Sequence, residues 1–141
     1  MAETLHMIEV GDAIPEYTTK PISRTTLALF AGASGDHNPI HIDSDFAKKA
    51  GMDDVFAQGM LPMAYLGRLL TDWVPQTAIR KFSCRFSAIT HLGEKITCSG
   101  KITEKWEDGG ETFVKLALTA ANDAGEVKLA GAAVVALPAK S

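Results

Sequence analysis

The most apolar part of the chain lies in residues 59–70, within a segment 59–73 that reads GMLPMAYLGRLLTDW. Apolar side chains fall on nearly every side of the helix that this spacing predicts, a pattern typical of a helix wrapped by other structure. Pro62 falls in the first turn, where a missing amide hydrogen does little harm. Arg68 interrupts the stretch, which is far shorter than the about 20 residues that cross a bilayer. We therefore expect a buried central helix.

After this helix the pattern changes to alternation, which places Phe82, Cys84 and Phe86 on one face of a strand. Further strands are predicted near residues 95–106, 111–121 and 126–137, with Gly- and Asn-containing turns between them. An antiparallel sheet that curls around one long apolar helix is the economical way to bury both surfaces. The sequence therefore predicts an α+β fold.

Two shorter helices are predicted before the central one. Ser23 can cap a helix over residues 24–33, because a serine side chain accepts from the free amides of a first turn. Asp43 or Ser44 can cap a second helix over residues 44–50. The segment between these two helices is thus fixed at both ends.

That segment reads SGDHNPIHID over residues 34–43. It places Asp36 and His41 on either side of Asn38-Pro39, a pair that initiates turns. An imidazole with an unperturbed pKa of about 6.5 exchanges protons near neutral pH, and a neighbouring carboxylate can share that work around one water. The alternative is structural, with Asp36 capping the turn and His41 a satisfied, half-buried histidine.

The same segment resembles the signature of the MaoC-like (R)-specific enoyl-CoA hydratases, G-D-x-N-P-[apolar]-H-x-[Asp or Asn], at every fixed position. A second match lies at residues 56–61, FAQGML, where the family usually has a His-Gly-Met start to its central helix. The resemblance runs from about Val10 to Pro138. It implies a single MaoC-like hot-dog domain over residues 1–141, in which a curled antiparallel sheet surrounds the helix and Asp36 and His41 are the catalytic acid/base pair.

The resemblance also assigns roles around the start of the central helix. There the amide of Gly59 donates to the thioester carbonyl, since the first amides of a helix have no internal acceptor; a glycine needed only for packing is the alternative. Gln58 replaces a frequent histidine, cannot titrate, and is expected to hold substrate or neighbours by hydrogen bonds or to have no role. Asn38 either holds the loop or a catalytic side chain, or only forms the turn.

The implied reaction is the reversible hydration of trans-2-enoyl thioesters of coenzyme A or acyl carrier protein to (R)-3-hydroxyacyl thioesters, which is hydro-lyase chemistry. It implies no cofactor and no metal, because the thioester itself makes the alkene electrophilic. Cys84 and Cys98 lack neighbours at metal-ligand spacing and are expected to be reduced strand residues. The alternatives are a hot-dog acyl-CoA thioesterase and a noncatalytic subunit that binds acyl thioesters.

Basic residues are needed where a coenzyme A phosphate binds. Arg80, Lys81 and Arg85 are the candidates in the strand region. Charges that alternate with apolar residues are also typical of a solvated strand face, so this assignment has a structural alternative.

Length and charge set further limits. A chain of 141 residues buries roughly two thirds of its unfolded surface, which is enough for one core. The net charge of -3 argues against a nucleic-acid or membrane-surface partner. The first dozen residues do not resemble a secretory signal, so we expect a cytoplasmic location. The resemblance implies a homodimer or higher homo-oligomer, or a heteromer with a paralogous hot-dog subunit.

Overall fold

The computed structural model describes residues 5–138. Its strands are β1 (Tyr17–Thr18), β2 (Ile79–Phe86), β3 (Thr97–Asp108), β4 (Glu111–Ala121) and β5 (Val127–Ala136). They form one antiparallel sheet in the order β1-β3-β4-β5-β2. The helices that position the site are α1 (Arg24–Ser34), α2 (Ser44–Lys49) and α3 (Met60–Trp73).

Both predicted caps of the shorter helices are confirmed. The hydroxyl of Ser23 accepts from the Thr26 N–H at 3.1 Å and starts α1. The Asp43 carboxylate accepts from the Phe46 N–H at 3.3 Å and starts α2. Each cap satisfies an amide that has no acceptor inside its own helix, so the segment between the two helices has fixed ends.

The core forms between α3 and the inner face of the sheet. Leu66 and Leu70 of α3 are fully buried and belong to the same apolar cluster as residues of β4 and β5. Burying each such leucine contributes about 1.5–3 kcal/mol relative to leaving it exposed. The sheet residues of this cluster are Val114, Leu116, Leu118, Ala120, Leu129, Ala133 and Val135. The sheet and helix thus adopt the hot-dog arrangement that the resemblance implies.

One stripe of α3 is exposed, although the helix is apolar nearly all round and packs against other structure elsewhere. Ala64, Arg68 and Asp72 recur every four residues and are exposed among the residues that the structure describes. Arg68 and Asp72 form an ion pair at 3.7 Å, and the Arg68 guanidinium lies 4.6 Å from the centre of the Tyr17 ring. A small residue such as Ala64 tolerates exposure, and charged side chains such as those of Arg68 and Asp72 favour it.

Strand boundaries follow the prediction closely, and one strand was not predicted. β4 covers the predicted range 111–121, while β3 and β5 are displaced by a residue or two at their ends. β1 was missed because two residues are too few to show a period of two. Within residues 5–138, no helix combines the length and apolar character needed to cross a membrane.

The two cysteines are unpaired strand residues, as expected. Cys84 lies in β2 and Cys98 in β3. Burial, followed by the charge of Cys84, raises the pKa of the Cys98 thiol to about 12, so this thiol stays protonated and unreactive at neutral pH.

Candidate active site

Asp36 lies on the surface, two residues after the end of α1. Gly35 adopts a φ of +78°, a left-handed conformation that favours glycine, and its N–H donates to Ala31 O at 3.0 Å. Asp36 follows directly, and its Oδ1 accepts from the Asn38 N–H at 3.3 Å. The Asp36 side chain remains 42% exposed, so its second oxygen is accessible to a substrate or water.

Asn38 holds the backbone of the next turn. Its Oδ1 accepts from the Ile40 N–H at 3.1 Å and caps a short 3₁₀ turn over Pro39–His41. Of the roles considered for Asn38, the contacts of this side-chain oxygen fit the one that shapes the loop. The turn carries His41 inward, where only 8% of the residue is exposed.

The tautomer of His41 is set by one backbone oxygen. Its Nδ1 lies 2.8 Å from Phe56 O, and because a carbonyl can only accept, Nδ1 carries the hydrogen. In the neutral ring, Nε2 therefore keeps its lone pair. The Phe56 ring meets the imidazole edge-on at 5.1 Å between centroids and holds its orientation.

The structure brings Asp36 and His41 together. His41 Nε2 and Asp36 Oδ2 are 3.8 Å apart, which is too long for a direct hydrogen bond. A water oxygen can lie about 2.8 Å from both of these atoms at once, so the pair is spaced to share one water. Acid/base groups in structures without substrate are commonly this loosely spaced.

In the chain, the start of α3 follows the segment that holds His41. Gly59 precedes the first residue of α3, and no side chain caps the helix. Phe56, whose carbonyl holds His41, is three residues earlier, so Gly59 lies within about 10 Å of that contact. The amides of Gly59 and Met60 have no acceptor inside the helix and carry the positive end of its dipole.

Packing does not require a glycine at position 59. Gly59 has a φ of −56°, which any residue adopts. A Cβ built on it would lie 3.6 Å from the Phe86 ring, which is ordinary van der Waals contact. The packing explanation for this glycine is therefore weak, whereas an open approach to its amide agrees with the role that the resemblance implies.

Gln58 lies just before α3, and its buried side chain connects this segment to α1 by a hydrogen bond. It is completely buried, and its Nε2 donates to Leu27 O at 2.9 Å. Its Oε1 is also buried and has no hydrogen-bond partner among the described residues. The contact with Leu27 fits a positioning role, one of the roles expected for Gln58.

Only one of the three basic candidates lies at the end of β2 that reaches Gly59. Arg85 directly precedes Phe86, whose ring faces Gly59. Arg80 lies at the other end of β2, about 20 Å away along the strand, where it pairs with Glu111 at 2.7 Å. Lys81 is exposed next to Arg80. The structure thus does not bring Arg80 and Lys81 to the start of α3.

Sequence reasoning missed the groups that hold the Phe56 segment. The Ala57 N–H donates to Thr90 O at 2.9 Å, and Phe56 forms an antiparallel bridge with His91. Lys128, which holds the loop containing these two partners, is fully buried. A lone lysine within the otherwise apolar strand β5 was the available signal.

No metal site is visible among residues 5–138, where no three His, Cys, Asp or Glu side chains are grouped as ligands. The expectation of a reaction without a cofactor stays a prediction.

Residues 9–123 match the family described as the MaoC-like domain. This chain belongs to that family. An (R)-specific enoyl-CoA hydratase from Rhodospirillum rubrum is 30% identical to the MaoC-like chain over 123 residues, which cover 86% of this chain and 83% of the relative.

Two further relatives are named for a dehydratase and a hydratase activity. A mitochondrial 3-hydroxyacyl-[acyl-carrier-protein] dehydratase of Arabidopsis thaliana is 29% identical over 90 residues, which are 64% of this chain and 53% of that relative; the match thus spans about half its length. The structure of R-hydratase PhaJ1 from Pseudomonas aeruginosa, without ligand, superposes with a TM-score of 0.85 and 28% identity over 96% of this chain and 86% of that one. The MaoC-like family, the hot-dog fold and the hydro-lyase class predicted from the sequence are confirmed.

Proposed function

We propose that this MaoC-like protein reversibly hydrates trans-2-enoyl thioesters of coenzyme A or acyl carrier protein to (R)-3-hydroxyacyl thioesters. The observation that carries the proposal is the 3.8 Å gap between His41 Nε2 and Asp36 Oδ2, and the uncapped start of α3 supplies free amides for the thioester oxygen. The described activities of the relatives support the substrate class and the stereochemistry.

The pair acts on one water held between its two members. The lone pair of His41 Nε2 takes one proton from this water as its oxygen attacks C3 of the enoyl group, while Asp36 accepts a hydrogen bond from the remaining O–H and stabilises the imidazolium. The electrons of the alkene move onto the thioester oxygen, which the Gly59 N–H holds. Donors of this kind contribute roughly 2.7–4 kcal/mol to transition-state stabilisation.

Return of the proton completes the reaction. The proton taken by His41 Nε2 is delivered to C2 as the enolate collapses, so that one water is added and both residues regain their starting states. No electron is gained or lost overall. The proposal therefore needs no metal or organic cofactor beyond the carrier of the thioester.

A homo-oligomer, with a dimer as the minimum, is part of the proposal. Within the described chain β2 is hydrogen-bonded only to β5, so its other edge can pair with a second chain. Phe86 at the end of β2 is 52% exposed and Met60 at the start of α3 is 53% exposed. A second copy would bury these side chains next to the site.

Light scattering after size-exclusion chromatography distinguishes a dimer from a monomer, and co-purification with a related subunit would indicate a heteromer.

The function is tested with crotonyl-CoA and a longer trans-2-enoyl-CoA. We expect loss of the conjugated enoyl absorbance without release of free thiol, and an (R) product by chiral chromatography. The variants Asp36→Asn and His41→Ala should each lose about 10²–10⁴-fold in kcat, the usual contribution of general acid/base catalysis. Thiol release would instead identify a thioesterase, and tight binding of enoyl-CoA without turnover would identify a binding subunit.

A further inference from the structure

Lys128 is a fully buried lysine that the proposed mechanism does not use. It lies in β5 at an irregularity in the pairing with β4 near Ala120, where a bulge redirects a side chain. A buried ammonium group requires paired charge and full use of its hydrogens. Lys128 Nζ donates to Ile89 O at 2.8 Å and forms ion pairs with Glu94 at 3.0 Å and with Glu126.

Lys128 and Glu94 together hold both ends of one loop, residues 87–94. The Lys128 carbonyl accepts from the Ser87 N–H at 2.9 Å, at the start of the loop. Near its end, Glu94 Oε1 accepts from the His91 N–H at 2.6 Å. Asn122 Nδ2 donates to Glu94 Oε2 at 2.5 Å and fixes the carboxylate. The 87–94 loop is therefore fastened to β5 and to the turn before it.

The middle of the 87–94 loop holds the segment that orients His41. Thr90 O accepts from the Ala57 N–H at 2.9 Å, and His91 pairs with Phe56. The next contact is Phe56 O with His41 Nδ1 at 2.8 Å. A continuous series of hydrogen bonds and one backbone bridge thus connects the buried ion pair with the imidazole.

We infer that Lys128 and Glu94 are positioning residues for His41, which they orient through the 87–94 loop and the Phe56 carbonyl. The inference rests on the proposed hydration, because it concerns where His41 Nε2 points. Buried ion pairs are often no more stabilising than apolar residues of the same volume, so stability alone gives no reason for a lysine here. The Lys128 ammonium group binds the Ile89 carbonyl of the loop and orders the Glu94 carboxylate at the same time. An apolar side chain can do neither.

The variants Glu94→Gln and Glu126→Gln form a matched pair. Each removes one carboxylate from Lys128, but only Glu94 also holds the His91 N–H, and Glu126 is 56% exposed. We expect Glu94→Gln to lower kcat about tenfold with little change in KM, since a misplaced catalytic group slows the chemical step. Glu126→Gln should leave both constants unchanged. In ¹⁵N-labelled protein, the ring resonances of His41 should shift in Glu94→Gln and stay in place in Glu126→Gln.

Thermal unfolding of each variant separates positioning from loss of fold. If Glu94→Gln does not fold, Glu94→Asp serves instead, since its shorter carboxylate keeps the charge but withdraws from the His91 amide. Equal kcat values for the Glu94 and Glu126 variants, or unchanged His41 resonances in a folded Glu94 variant, would overturn the inference. A wild-type protein without hydratase activity would contradict the proposed function, whereas the His41 resonances would still report on the positioning.

Discussion

At the scale of single residues, the site depends on atoms that a sequence pattern does not display. His41 and Asp36 are visible in the sequence, but the proton on His41 is placed by a backbone oxygen of Phe56. Any residue at position 56 carries the same carbonyl. The residue types of the site were therefore predictable, whereas the tautomer required the tertiary structure.

The role of the Gly59 amide can be separated from the role of its small size. Gly59→Pro removes the N–H while keeping a φ that suits proline, given the observed −56°. We expect kcat to fall about 10²–10³-fold, as for the loss of one oxyanion donor. Steady-state kinetics on crotonyl-CoA provides the measurement.

Gly59→Ala is the control for that change. It retains the N–H, and its Cβ would lie 3.6 Å from the Phe86 ring without displacing it. Most of the activity should remain in this variant. An equal loss in the alanine and proline variants would mean that access to the helix start matters and that the amide does not.

At the scale of elements, β2 and β5 approach each other closely at Gly131. A Cβ there would lie 2.4 Å from Ser83 O and 2.9 Å from Cys84 Sγ, so the strands would have to separate. Gly131→Ala should lower the free energy of unfolding by about 1–3 kcal/mol, as overpacking does. Urea denaturation measures this difference.

A second glycine provides the opposite expectation in the same assay. Gly67 lies within α3, and a Cβ there would meet the Phe82 ring at 3.7 Å, an ordinary contact. Gly67→Ala should raise the free energy of unfolding by about 0.5–1 kcal/mol, because alanine loses less backbone entropy in a helix. If both variants were destabilised alike, the close approach at Gly131 would not be the cause.

The two ends of β2 are expected to differ in their effect on substrate binding. Arg85 lies next to Phe86 near the helix start, whereas Arg80 is paired with Glu111 at the far end. Arg85→Ala should raise KM for enoyl-CoA about two- to fivefold, the size of one exposed charge contact. Arg80→Ala should leave KM unchanged.

A truncated thioester that lacks the nucleotide phosphates is the control substrate for both arginines. Its KM should be the same in wild type and in Arg85→Ala. An increase in the enoyl-CoA KM in Arg80→Ala alone would place the phosphates at the other end of the strand.

At the scale of the whole molecule, the buried ion pair makes stability depend on pH. Burial opposes ionisation of Glu94, but hydrogen bonds from Asn122, the His91 amide and Lys128 outweigh it and lower the pKa of Glu94. A carboxyl whose pKa is lowered by folding stabilises the protein above its unfolded pKa, and this contribution is lost as the pH falls through the folded pKa.

We therefore expect the free energy of unfolding to decrease on acidification below about pH 4.5, and to decrease less in Glu94→Gln. Urea denaturation at several pH values between roughly 3 and 6 measures both slopes. Some decrease should remain in the variant, because a hydrogen bond from Ser44, aided by the Val55 amide and Arg24, also lowers the pKa of Asp54. An identical decrease in the free energy of unfolding on acidification in wild type and Glu94→Gln would contradict the assignment to Glu94.

Most of the fold was predictable because its signals are local. Ser23 and Asp43 cap the helices expected of them, and β4 follows its apolar alternation over the whole predicted range. Within the exposed stripe of α3, Arg68 and Asp72 were visible signals, whereas Ala64 gave none, since an alanine is compatible with either environment. The hydrogen bond of Gln58 could not be predicted either, because its partner Leu27 is 31 residues away in the chain.

The order of the strands has a consequence for how the chain is made. β2 is synthesised well before β5, yet β5 is its hydrogen-bonded neighbour among the described strands. On the ribosome β2 therefore remains an unpaired strand whose one apolar face, carrying Phe82, Cys84 and Phe86, is uncovered, a state prone to aggregation. The lysine that fastens the loop behind His41 arrives on the same late strand. A chain interrupted before residue 127 contains every residue of the acid/base pair, and we expect it to be a client of chaperones and proteases with no hydratase activity.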